Sequence, residues 1–254
     1  MDTHSNTKQN ITLLFAGLLC ILFIAINFTI TIGYYEFTFP IGTIVGYILL
    51  IIGAQKMNYL NNSRLVVIAG VVGILAIFAS YLTIFVPVDL SLLEEYLLAI
   101  EQGEEITQQD LALFFEAFGS LKGFTLTISA ISVVLETAPS VFLFYSLGKM
   151  LSEVSSTYSV YSDNHFVKNA KIINITSVIL MAVSFVITFL SFEILSTAAE
   201  ILSSGAEEVV LQNFSGVVVV ISILGIAALV GGIINLVYSI KYLVEIWRLR
   251  KLFN

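Results

Sequence analysis

The sequence has few charged residues, since Asp, Glu, Lys and Arg together make up only 11% of its 254 residues. A soluble domain carries about 25% charged residues, so this chain has too few ions to cover a surface that faces water. The single cysteine, Cys20, cannot form an internal disulfide, which excludes a small disulfide-stapled domain. A disordered chain is excluded as well, because 58% of the residues are hydrophobic.

Basic residues and the motifs of common enzymes are also scarce. Lys and Arg number 11 against 18 Asp and Glu, and the formal net charge is −7, so the chain lacks the positive charge with which proteins neutralise nucleic-acid phosphates. The two histidines, His4 and His165, have no set of spaced ligands around them. No phosphate-binding, dinucleotide-binding or common hydrolase motif occurs. We therefore expect no nucleic-acid partner, no metal, no cofactor and no catalytic residue.

What the sequence does contain is a series of long apolar runs. A helix needs about 20 apolar residues to cross a hydrocarbon core of about 30 Å, and continuous runs of this length favour helices over the alternating strands of a barrel. We predict an all-α, polytopic integral membrane protein in which a single membrane domain, residues 1–254, forms a bundle of six transmembrane helices. The predicted spans cover residues 11–32, 37–54, 65–88, 124–147, 172–195 and 214–238.

The distribution of Lys and Arg predicts the orientation of the chain, because positively charged loops stay in the cytoplasm. If the N-terminus is inside, Lys122 is the only one of the 11 basic residues that falls in an outer segment. An even number of spans then places both termini in the cytoplasm. The pattern is typical of small multi-pass proteins of bacterial or archaeal cytoplasmic membranes. The expected binding partner of such a protein is the lipid bilayer that surrounds it.

Two outer segments, residues 89–123 and 196–213, carry helix-start patterns followed by apolar residues at helical spacing. This pattern predicts short amphipathic helices on the outer side of the bundle. Because they are acidic, we favour their packing onto the outer ends of the bundle over contact with free lipid. In the first segment, Phe114, Phe115 and Phe118 share one face and form a candidate outer docking face for another membrane protein.

Two further connections are predicted to have little regular structure. Residues 33–36 are short enough to form a tight outer turn between the first two spans. Residues 152–171 are rich in Ser and Tyr and are predicted to form a flexible inner linker. The glycine pair Gly42 and Gly46, with three residues between them in the second span, predicts close helix packing, either within the chain or in a homo-oligomer.

Glu136 is the only ionisable residue well inside a predicted span, and it lies near the middle of residues 124–147. An acid at this depth is costly and is a functional-site hypothesis by default. Pro139 follows three residues later and removes a helical hydrogen bond, which can open a polar pocket beside the acid. Ser132 and Ser140 lie one turn before and after Glu136 on the same face. These four residues form a candidate intramembrane ion or proton site.

Polar residues also recur at helical spacing on the fourth, fifth and sixth predicted spans, which we expect to turn these faces toward one another. The candidate pathway-lining residues are Thr125, Ser129, Ser184, Thr188 and Asn235. In a functional interpretation they line a polar pathway in which Glu136 binds a proton or a cation. In a structural interpretation the small and hydroxyl residues only let helices pack closely, and Glu136 is a protonated acid hydrogen-bonded to a neighbour.

Two classes of function follow from these patterns. The first hypothesis is translocation of an ion or small solute, with Glu136 as the coupling group. The alternative is a non-catalytic accessory, immunity or assembly subunit that binds another membrane protein through its outer segment or its small-residue helix faces. An enzyme is the least favoured class, because only one candidate catalytic group lies in the bilayer.

Overall fold

A computed structural model describes residues 3–24, 26–32, 35–82, 122–158, 165–204 and 207–253. Over these residues the chain is helical apart from one antiparallel, two-stranded hairpin. In chain order the elements are α1 (Thr3–Phe23), β1 (Phe28–Ile32), β2 (Tyr35–Phe39), α2 (Ile41–Gln55), α3 (Ser63–Leu82), α4 (Lys122–Thr157), α5 (His165–Ser204) and α6 (Glu207–Lys251).

Five of the described helices, all except α2, are long and apolar enough to cross a membrane. α2 is apolar but has only 15 residues, about 22 Å at a rise of 1.5 Å per residue, which is less than a hydrocarbon core of about 30 Å. Large apolar side chains such as Leu75 on α3 and Ile226 on α6 are 60% and 66% exposed. In a bilayer these side chains would face lipid. The prediction of a helical chain with several helices able to span a membrane is confirmed.

The hairpin replaces helix in parts of the first two predicted spans. The span predicted for residues 11–32 is wrong in its second half, because α1 ends at Phe23 and β1 follows. The span predicted for residues 37–54 begins in β2 and becomes helical only after Pro40. Pro40 suits this boundary, because proline has no N–H to donate and the first turn of a helix has no internal partner for one.

Alternation of side-chain type with a period of two residues, within the apolar run of residues 28–39, explains the hairpin. In β1, Thr29 and Thr31 alternate with large apolar residues, and alternation of β-branched and aromatic residues favours a strand. The strands pair with Ile32 opposite Tyr35. Tyr35 and Glu36 belong to β2, so the tight turn predicted over residues 33–36 is wrong for its described half.

Helix also continues into the predicted inner linker. α4 extends to Thr157 and α5 begins at His165, so the prediction of a flexible linker over residues 152–171 is wrong for both of its described ends. The physical reason is packing, since Val154 near the end of α4 and Phe166 at the start of α5 are buried. An apolar face that stays buried stabilises each further helical turn.

The predicted outer segments are described only in part. Residues 83–121 lie outside the described residues, and with them the candidate docking face of Phe114, Phe115 and Phe118. In the second outer segment, residues 196–204 belong to α5 and residues 207–213 to α6, so the described part is continuous with the long helices rather than forming separate short ones. Residues 196–204 include Ala, Leu and Glu, which are strong helix formers and allow the helix to continue.

The chain divides into two compact units. Unit 1 comprises Met1–Tyr81, Leu135–Ile179 and Gly231–Asn254, and unit 2 comprises Leu82–Val134 and Leu180–Val230. The buried apolar core of unit 1 takes side chains from all of the helices that enter the unit. Its members include Leu14, Leu50, Val66, Leu147, Ile173 and Ile246.

Four chain segments meet at one end of unit 1. The hydroxyl of Thr7 in α1 lies 3.4 Å from the hydroxyl of Tyr59, in the turn between α2 and α3, and 3.2 Å from the hydroxyl of Tyr158, just after α4. The ring of Tyr158 packs edge-on against Phe253, after α6, with 4.8 Å between centroids. The segments that meet here are those that the positions of Lys and Arg predict to lie on the same side of the membrane.

α1 and α2 pack against each other almost backbone to backbone. A Cβ atom placed on Gly46 would lie 2.6 Å from the carbonyl oxygen of Gly17, and one placed on Gly17 would lie 2.7 Å from the carbonyl oxygen of Gly46. Such distances leave no room for a side chain at either position. The glycine pair of α2 therefore serves packing within the chain, which was one of its two predicted uses.

Glu153 ties α4 to the turn between α2 and α3. Its carboxylate accepts the backbone N–H groups of Asn61 at 2.8 Å and Asn62 at 3.0 Å, and the Asn62 side-chain amide at 2.9 Å. Partial burial raises the pKa of Glu153, but these hydrogen bonds lower it by more, and the net pKa lies below its ordinary value. The ionised carboxylate is thus the form that holds the turn in place.

Glu153→Gln is expected to lower the free energy of unfolding by about 1.5–3 kcal/mol, because a neutral amide replaces an acceptor of charge-assisted hydrogen bonds. Since the folded-state pKa is lowered, the stabilisation by Glu153 is fully present above the unfolded pKa of about 4.3 and is lost as the pH falls through the folded value. Thermal unfolding of the detergent-purified chain between pH 3 and pH 7 measures both effects. Equal midpoints for the variant and the wild type at neutral pH would contradict the anchoring role.

Candidate functional site

Glu136 lies near the middle of the apolar part of α4 and lines a groove of about 340 Å³ within unit 1. The other walls come from the hairpin, α2 and α3. Six residues with hydroxyl or amide side chains contribute to these walls. They are Asn27, Thr38, Thr43, Tyr47, Ser80 and Tyr81.

The hairpin is held against α2 and α3, and this contact brings Asn27 and Thr38 to the groove. The hydroxyl of Tyr81 in α3 donates to the backbone carbonyl of Thr38, and the rings of Tyr81 and Phe39 lie 4.9 Å apart. At the base of the hairpin, the N–H of Gly42 donates to the carbonyl oxygen of Ile26 at 3.0 Å. The side chain of Tyr81 therefore joins β2 to α3, and a backbone hydrogen bond joins the residues just before β1 to α2.

α2 and α3 form the next walls of the groove. Thr43 and Tyr47 lie one turn apart on α2. The ring of Tyr47 packs directly on Gly73 of α3, where an added Cβ atom would lie only 2.3 Å from the nearest ring carbon. Ser80, two turns further along α3, donates its hydroxyl to the carbonyl of Ile77 at 2.7 Å.

α4 supplies the only charged residue among the groove-lining residues that the structure describes. The carboxylate of Glu136 is exposed and has no hydrogen bond or ion pair with any other described residue. Pro139 is buried and has no N–H, so the carbonyl of Leu135 lacks the donor that a regular helix would provide. A carboxylate, several hydroxyl oxygens and a carbonyl line one groove, and these are the oxygen ligands that hard cations prefer.

The groove is better suited to a proton or a monovalent cation than to a transition metal. In the described part of the chain, no group of three or more His, Cys, Asp or Glu could hold a metal ion. A single carboxylate with neutral oxygens balances one positive charge. Divalent ions are normally held by more than one carboxylate or by nitrogen and sulfur ligands.

Of the other residues of the predicted ion site, only Pro139 is among the described residues that line this groove. Pro139 lines it with Glu136, but Ser140 does not, although it belongs to the same unit. Ser132 belongs to unit 2. The helical spacing of the serines predicts one face of α4, but neighbouring helices, which the sequence does not specify, decide which part of a face meets a cavity.

The predicted pathway residues are likewise distributed over both units. Thr125, Ser129, Ser184 and Thr188 belong to unit 2. The hydroxyl of Thr188 donates to the carbonyl of Ser184 at 3.0 Å, so this pair is bonded within its own helix.

Asn235 in unit 1 holds two helices together. Its amide nitrogen lies 2.8 Å from the hydroxyl of Thr176, 2.9 Å from that of Ser177 and 3.1 Å from the carbonyl of Ile173, all on α5. Asn174 on α5 similarly donates to the carbonyl of Val141 on α4 at 3.0 Å. These contacts support the interpretation in which polar residues of the unit 1 parts of α5 and α6 hold neighbouring helices together rather than line a pathway.

The residues that sequence reasoning missed are those of the hairpin, α2 and α3. Two signals could have identified them. The period-2 alternation of residues 28–39 indicates strands, and Gly73, Ala76 and Ser80 recur on α3 at the spacing of one helix face. Neither signal indicates that the two surfaces would meet Glu136.

Comparisons of the chain with known protein families, curated proteins and solved structures gave no match. Function therefore has to be inferred from the groove residues and their chemistry. Two properties of Glu136 bear most directly on function. It lies within the apolar part of α4, and its carboxylate has no partner among the described residues.

Proposed function

We propose that this chain is a six-span protein of the cytoplasmic membrane that translocates a proton, a monovalent cation or a small solute coupled to one of them, with Glu136 as the binding group. One observation carries the proposal. The Glu136 carboxylate lies within the apolar part of α4, lines a groove of hydroxyl and amide groups, and has no partner among the described residues.

The energetics of a bilayer favour this role. An ionised acid at the bilayer centre costs about 2.5–3.5 kcal/mol even on permissive scales. The carboxylate can avoid that cost by taking up a proton or by pairing with a cation that enters the groove. Exchange between these states changes the charge of the site, and a change of this kind can couple binding to movement.

The neighbouring groups give the groove a ligand set for a small cation. The hydroxyls of Thr43 and Tyr47 and the amide of Asn27 supply neutral oxygens near a single negative charge. No described lining residue carries a positive charge that would compete with the ion. A net site charge of −1 in the ionised form fits one monovalent cation.

The proposed topology is supported by the charge distribution and by the chain ends that meet in unit 1. Lys and Arg predict that both termini are cytoplasmic. α2 is the proposed second crossing, and its 15 residues make it the shortest of the six.

The proposal is tested with the purified chain in liposomes that contain a pH-sensitive dye. We expect proton movement driven by an imposed Na⁺ or K⁺ gradient to exceed that in protein-free liposomes. A hydrophobic carbodiimide, which modifies protonated carboxyl groups in apolar surroundings, should block this movement and label Glu136. Preincubation with the coupling cation should reduce the labelling. Full activity after stoichiometric labelling of Glu136 would contradict the proposal.

A further inference from the structure

A second groove, of about 550 Å³, lies where α2 ends and α3 begins. It belongs to unit 1 but shares no lining residue with the groove at Glu136. The residues that line it are Gln55, Asn58, Ser63, Arg64, Val67 and Ile68.

The polar part of this second groove presents donors that the protein itself does not use. Arg64, Gln55 and Asn58 are exposed, and none of their side chains has a hydrogen bond or an ion pair with another described residue. Arg64 is the only charged residue among the described lining. A guanidinium beside two amides suits an anion with several acceptor oxygens, and a phosphate group has this chemistry.

The remaining part of the groove is apolar and continues along the helices. Val67 and Ile68 lie one turn beyond Arg64 on α3, and the side chain of Ile68 is 50% exposed. Further exposed apolar side chains follow, with Leu75 on α3 at 60% and Ile48 on α2 at 43%. A positively charged end that passes into an extended apolar surface matches the shape of a phospholipid rather than that of a free phosphate ion.

The turn that carries the polar end is held in place before any ligand arrives. The hydrogen bonds of Glu153 to Asn61 and Asn62 fix the chain between Asn58 and Arg64. Tyr59 in the same turn is 53% exposed, and tyrosine is enriched at the level of lipid headgroups. A preorganised site loses less free energy to ordering when it binds.

We propose that this groove binds an anionic phospholipid, with Arg64 on the phosphate and the acyl chains along the apolar faces of α2 and α3. The proposal rests on the contacts of the α2–α3 turn and is independent of the role assigned to Glu136. Zwitterionic lipids fit less well, because their own ammonium group offsets the charge that Arg64 recognises.

Lipid retention by the detergent-purified full chain tests this assignment. Native mass spectrometry should detect phosphatidylglycerol in preference to phosphatidylcholine. Arg64→Gln should weaken phosphatidylglycerol binding about fivefold, the loss expected for one basic residue near an anionic headgroup. Lys171→Gln removes the same charge from the exposed surface of α5 and should leave the binding unchanged.

Three results would overturn the assignment. Equal loss of binding in Arg64→Gln and Lys171→Gln would indicate that phosphatidylglycerol is attracted to any positive charge on the protein surface rather than bound in this groove. Equal retention of phosphatidylglycerol and phosphatidylcholine would exclude recognition of an anionic headgroup. Equal thermal stabilisation by soluble glycerol phosphate and by phosphatidylglycerol would assign the groove to free phosphate compounds instead of lipid.

Discussion

Glu136→Gln is expected to reduce cation-linked proton movement in proteoliposomes by a factor of roughly 30 or more. Glutamine keeps the size and the hydrogen-bonding capacity of the side chain but cannot ionise. Loss of one charge from a desolvated charge pair typically costs about 2 kcal/mol or more, which corresponds to this factor. Because the carboxylate has no partner among the described residues, its removal should leave the folded state intact.

Two further variants make this result specific. Glu136→Asp keeps the charge but withdraws the carboxylate by one methylene, so we expect activity between those of the wild type and Glu136→Gln. Glu193→Gln removes a carboxylate from α5, which does not line the groove, and should keep wild-type activity. Unchanged flux in Glu136→Gln, with normal insertion and thermal stability, would rule out the coupling role.

Gly46→Val is expected to lower the free energy of unfolding by about 3 kcal/mol, the upper part of the usual range for overpacking. A Cβ atom at this position would lie 2.6 Å from both the Gly17 carbonyl oxygen and the Ile21 side chain. The helices would have to separate, and Leu50, which is fully buried in the same interface, would lose contacts. The midpoint of thermal unfolding in detergent measures the change.

α6 offers a matched control for this substitution. A Cβ atom at Gly225 meets no described atom within 4 Å, so Gly225→Val tests the same change of residue without the clash. We expect its free energy of unfolding to stay within about 0.5 kcal/mol of the wild type, since valine is a slightly better helix former than glycine. A similar loss of stability in both variants would mean that the glycine-to-valine change itself, and not the α1–α2 contact, is responsible.

Gly46→Val should also affect the groove, because Tyr47 and Thr43 belong to the same helix. Displacement of α2 would move both side chains away from Glu136. We therefore expect reduced flux even in the fraction of the variant that folds. Gly225→Val should keep its flux.

Most of the helical content could be predicted from the sequence, and the reason is local. Hydropathy averaged over about 20 residues reports directly on transfer into a bilayer. This signal located α3, α4, α5 and α6 to within a few turns. It failed between Phe23 and Pro40, where a run that is apolar enough for a span also alternates with the period of a strand.

Glu136 could be singled out for a similar reason, since an acid within an apolar run is visible without any knowledge of the fold. Its surroundings could not be predicted. Thr38 reaches the groove because Tyr81 holds the hairpin, and Tyr47 reaches it because Gly73 leaves space for the ring. Each of these contacts joins residues far apart in the chain, and no periodicity within one element encodes them.

The sequence by itself determined that the chain suits a membrane, that it is mainly helical, and that one acid lies within a long apolar run. These properties depend on the transfer free energies of residues that are neighbours along the chain. Only the tertiary structure decided that the hairpin, α2 and α3 form the walls of the groove beside Glu136. It also decided that Asn235 joins α6 to α5. Such choices depend on which helix faces fit together at close range, and that fit is set by the packing of all the elements at once.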